Sequence, residues 1–116
     1  MKLLELLNLL NRLRPGYRKE VNSAYAILSK TKDPFHAVTG HSADNLIDLF
    51  TLLQQMDENS FTHHVNEHKN DFSEWIQHCI SDHDLASKLR GMKDKDDVTV
   101  AVGLRVKELL TRIKNG

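Results

Sequence analysis

The chain has 116 residues, 40% hydrophobic and 28% charged, with two prolines and five glycines; this is the make-up of one globular domain and excludes disordered, collagen-like and two-domain architectures. Sixteen basic and sixteen acidic side chains cancel, so no overall field holds a polyanion and nucleic-acid binding is not expected. A single cysteine, Cys79, excludes an intrachain disulfide and suits a reducing cytoplasm, and no run of about 18 apolar residues is available to span a membrane.

Leu3, Leu6, Leu7, Leu10 and Leu13 recur at helical spacing and predict an amphipathic helix over 2–13, ended by Pro15-Gly16. Glu5, Asn8 and Asn11 interrupt the apolar run, which is read as part of the fold and not as a signal peptide. Val21, Ala24, Tyr25 and Leu28 predict a second helix over 18–30, pairing with the first as an N-terminal hairpin. Residues 31–42 hold Pro34 and Gly40 without a helical period and are expected to be an irregular loop. Ser42, with Asp44 behind it, is the expected N-cap of a third helix through Met56 that turns Leu46, Leu49, Phe50 and Leu53 inward.

Asp57 or Ser60 starts a short fourth helix with Phe61, His64 and Val65, ending near 66–70. Asp71 is then placed to cap a fifth, in which Phe72, Trp75, Ile76, Cys79 and Ile80 give the strongest helical period in the chain. Asp82 caps a sixth that buries Leu85, Ala86 and Leu89, and Gly91 suits a left-handed closing residue. Over 94–114, Val98, Val102, Val106, Leu109 and Ile113 read as a helix, although 98–102 alternates as a strand does. The expected fold class is therefore all-α, a bundle of about six to seven short helices in one domain, with a core over 35–91 between the hairpin of 1–30 and the helix of 92–116.

Phe61-x-x-His64-Val65, Asn70-Asp71-Phe72-x-x-Trp75-Ile76 and Asp82-x-x-Leu85-Ala86-x-x-Leu89 form a string of infrequent residues at fixed spacing, preceded by Phe35 to Gly40 and Asn45-Leu46-x-x-Leu49. The string resembles an uncharacterised family of small archaeal and bacterial domains, over about Phe35 to Leu89. The resemblance implies a shared helical unit and carries no activity. The first two helices and the valine-rich last segment lie outside it.

Seven histidines invite a metal reading, and His64-x-x-Glu67-His68 has the spacing of inverted zinc peptidases, which on one helix sets two ligands beside a base. A third ligand and a substrate cleft are missing from that pattern. The expectation is instead a structural His64 that donates to a partner such as the Asp71 carboxylate, with His63, His68, His78 and His83 in solvent and Cys79 an inert buried thiol. His64, Asn70 and Asp71 thus form the candidate polar cluster, and no cofactor is expected. Arg12, Arg14, Arg18 and Lys19, with Arg105, Lys107, Arg112 and Lys114, are read as solvated faces rather than a phosphate-binding surface.

The leading functional expectation is a non-catalytic module that self-associates or docks a protein partner through its terminal helices, with Leu3, Leu6, Leu7 and Leu10 as the surface. The alternative is a small metal-dependent or acid/base hydrolase using His64, Glu67, His68 and Asp71, and the third a nucleic-acid accessory domain.

Overall fold

The computed structural model describes residues 2–4 and 15–115. Among them six α-helices surround one small antiparallel hairpin: α1 (Pro15–Leu28), β1 (Phe35–His36), β2 (Ser42–Ala43), α2 (Leu46–Gln55), α3 (Glu58–His64), α4 (Asp71–Trp75), a π-helical turn (Ile76–Ile80), α5 (His83–Arg90) and α6 (Lys95–Asn115). No helix among the described residues is long and apolar enough to cross a membrane.

The core cluster draws on every one of these elements. Val21, Ala24 and Leu28 come from α1, Leu46, Leu49, Leu52 and Leu53 from α2, and Val98, Val102, Leu109 and Ile113 from α6. Each fully buried Val, Leu, Ile or Phe contributes roughly 1.5–3 kcal/mol. α6 is the central post: α1, α2 and α5 all pack against it. Gly103 permits a close approach of α2, because a Cβ there would stand 2.6 Å from Cε1 of Phe50. The sequence leaves 98–102 between helix and strand; the segment is helical throughout.

Several boundaries differ from the sequence reading. Pro15-Gly16 lies within α1, and the stretch expected to end at it falls outside the described residues. The fold is not purely all-α, because residues 35–43 form a hairpin in which Phe35 pairs with Ala43 and His36 with Ser42. Its connection is the five residues 37–41, in which the Gly40 N–H donates to the Ala37 carbonyl and the Ala37 N–H to that of His41. Gly40 closes it at φ +93°, a left-handed conformation open to glycine at little cost. Ser42 therefore belongs to a strand, and the cap of α2 is Asn45, whose side chain accepts from the Asp48 N–H.

Asp57 caps α3 as expected, but the helix stops at His64. Asn70, not Asp71, caps α4, and the following helical stretch widens into the π-helical turn, closed by Ser81 at φ 65°. Gly91 after α5 is right-handed, at φ −91°.

Candidate functional site

The first two parts of the motif string, with Phe35, collect where β1, α3 and α4 meet, and its third part forms α5. Phe35 and Phe72 flank His64, their rings 5.1 and 5.5 Å from the imidazole, and the cluster extends through Phe35 to Trp75 at 5.9 Å and through Phe72 to Phe61 at 5.8 Å, with Phe35 and Phe72 themselves 4.8 Å apart. His64 is only 5% exposed. The Val38 backbone N–H donates to its Nε2 at 3.0 Å, which fixes the proton on Nδ1; Nδ1–H then donates to Asp71 Oδ2 at 3.0 Å. The same oxygen accepts from Lys69 Nζ at 3.0 Å. Both imidazole nitrogens are thus occupied, and the carboxylate that faces them is balanced by an ammonium group.

Asn70 performs a second internal task. Its Oδ1 accepts from the Ser73 N–H as the cap of α4, while its Nδ2 donates to the Leu89 carbonyl at 2.7 Å and to that of Met92 at 3.4 Å. Ser73 Oγ donates to the Ala86 carbonyl at 2.7 Å. Those bonds fasten α4 to α5. The Trp75 indole N–H donates to the Asp33 carbonyl at 2.7 Å, and Thr31 Oγ1 donates to the Cys79 carbonyl, so the segment entering the hairpin is stapled to the α4 and π-helical stretch.

A third polar contact lies across α5 and α6. Asp82, 3% exposed, caps α5 through Oδ1 and accepts from Arg105 Nε at 2.7 Å. Burial of the guanidinium works against its charge, but the bond and charge of Asp82, followed by those of Glu108, raise the Arg105 pKa above its ordinary value. The Arg105 hydrogen bond in turn holds the Glu108 carboxyl below the usual range, and Glu108 also pairs with Arg112 at 2.7 Å. Arg105 is therefore a mostly buried, paired cation and not part of a solvated face, whereas Arg112 is exposed and pairs within its own helix.

The geometry brings together His64, Asn70 and Asp71 but not the zinc pattern. Because α3 ends at His64, Glu67 and His68 follow on an exposed turn and do not share a helix face with it. No group of three or more His, Cys, Asp or Glu side chains among the described residues is placed to hold a metal ion. His63, His68, His78 and His83 are exposed. Cys79 is half-buried and not fully enclosed, and burial followed by the charge of Asp33 pushes its thiol pKa up, away from the nucleophilic form. Of the apolar stripe near the amino terminus, Leu3 packs part-buried against the core; Leu6, Leu7 and Leu10 lie outside the described residues, as do Arg12 and Arg14.

An exposed feature that the sequence reading passed over lies on α6. Val100 and Leu104 are 57% and 62% exposed and border a groove of about 880 Å³ between α5 and α6, lined also by Leu85, Met92 and Ala101. The signal was present: they form an i, i+4 apolar pair lying off the stripe of Val98, Val102, Val106, Leu109 and Ile113.

The string's partners identify it as the framework of a small helical domain, with the motif residues bonded to one another. The chain belongs to DUF5752, a family of unknown function whose pattern matches residues 28–115. That match takes in the valine-rich α6, which the resemblance read from the sequence had left outside. Comparison with curated proteins and with solved structures gives no match.

Proposed function

We propose that this domain is a non-catalytic protein-interaction module whose contact surface is the α6 strip of Val100 and Leu104. One observation carries the reading: two large apolar side chains, more than half exposed, stand one helical turn apart beside a groove open along α5 and α6. The saturation of the polar cluster supports it, since His64 offers neither a lone pair nor a free proton to a substrate and Asp71 is held by Lys69. This reading uses the last helix; Leu6, Leu7 and Leu10 of the first leucine stripe lie outside the described residues.

Site-specific photo-crosslinking in the intact chain tests this reading. A benzoylphenylalanine at position 104 is expected to yield a covalent adduct of discrete mass in the source cells, whereas one at exposed Glu58 yields none. Absence of any adduct from position 104 sinks the proposal.

A further inference from the structure

Resting on the interaction reading above, we infer that the partner of the α6 strip is a second copy of this chain, its α6 laid antiparallel on the first about a two-fold axis level with Val102. Val102 is fully buried. At 3.6 residues per turn, Val100 and Leu104 stand about 160° to either side of it, and Asp97 and Lys107 about 140°. The outward face of α6 is therefore an apolar pair flanked by one acid and one base, arranged symmetrically about a single level of the helix.

A two-fold pairing places each residue n positions before Val102 against the one n positions after it. Val100 of one copy then meets Leu104 of the other, twice. Asp97 meets Lys107, twice. A parallel arrangement sets Asp97 on Asp97 and Lys107 on Lys107, which is repulsive, so the charge pattern selects the antiparallel one. Asp97 and Lys107 are exposed, and neither pairs with an opposite charge among the described residues. By the same rule Asp96 falls level with Glu108 of the other copy on the flank, where Glu108 is already neutralised within its own helix by Arg105 and Arg112. A face whose apolar and charged positions complement themselves fits a copy of itself. The strip is small beside the roughly 800 Å² per partner of a standard interface, so the dimer is a weak one.

Sedimentation equilibrium of the full chain between about 1 µM and about 1 mM tests the assignment. The native protein is expected to pass from monomer to dimer, and Leu104→Glu to remain monomeric with an unchanged melting temperature, since the site is on the surface. Asp97→Lys and Lys107→Asp each weaken association tenfold or more, and the double exchange Asp97→Lys with Lys107→Asp restores it. A chain that stays monomeric throughout, a dimer indifferent to Leu104→Glu, or a charge exchange without rescue overturns the proposal. The crosslink from position 104 separates the two readings: an adduct of twice the chain mass supports the second copy. An adduct with a different protein rejects the second copy and leaves the interaction module standing, and no adduct removes both.

Discussion

Asn70 combines two roles that an isosteric carboxylate cannot: its oxygen caps α4 while its amide nitrogen donates to the Leu89 carbonyl at the end of α5. Asn70→Asp keeps the cap and turns the donor into a buried anion facing a carbonyl, so it is expected to lower unfolding free energy by about 1–3 kcal/mol, measured by urea denaturation. Asp82→Asn removes the charge that faces Arg105 across α5 and α6. With the guanidinium left mostly buried, the loss expected in the same assay is about 3 kcal/mol, the lower part of the range for breaking an enclosed ion pair, because Glu108 still accepts from Arg105. The sequence reading had placed the α4 cap at Asp71, one residue late. Two adjacent cap-forming residues cannot be ranked from type alone, and the amide's second bond is made to a residue 19 positions away.

Among elements, α2 packs closely on α6 at Gly103. Alanine there gains about 1 kcal/mol of helix propensity, but its methyl meets the Phe50 ring, and overpacking costs about 1–3 kcal/mol. Gly103→Ala is thus expected to destabilise the native chain by about 1 kcal/mol and to stabilise a Phe50→Ala chain by about as much, a reversal that a double-mutant cycle of chemical denaturation reads directly. At Gly40 there is no clash, since nothing lies within 4 Å of an added Cβ. The expected loss of about 1–2 kcal/mol for Gly40→Ala is purely the cost of a left-handed backbone, seen as a lower melting temperature. The long helices were legible because their apolar residues repeat often enough to define a face, as Val98, Val102, Val106, Leu109 and Ile113 do. The hairpin was not: strands of two residues are too short for alternation to register. The π-helical turn was equally hidden, since Phe72, Trp75, Ile76, Cys79 and Ile80 satisfy an α-helical period just as well.

For the whole molecule, charge cancels at neutral pH, and its response to acid follows from carboxylates held by the fold. The Ser60 backbone N–H and then its side chain lower the Asp57 pKa, and Arg105 lowers that of Glu108. A folded-state pKa below the unfolded one gives stability that is complete above the ordinary carboxylate value of about 4 and is lost as pH falls through the folded value. The melting temperature by circular dichroism is expected to decline as pH falls below about 5, with Glu108→Gln showing a shallower decline. The polar cluster was legible as residues, including the bond between His64 and Asp71, but not as a closed set: the Val38 amide that occupies Nε2 comes from a hairpin 26 residues earlier. The Arg105 partner, Asp82, is as remote at 23 residues.

The bond from Asn70 to the Leu89 carbonyl has a consequence for the chain itself. Both ends belong to the motif string, so the string measures a distance within itself, as a gauge block does: the start of α4 is clamped to the finish of α5. Substitutions elsewhere between them can then change the surface that the two helices offer without changing the angle at which they offer it.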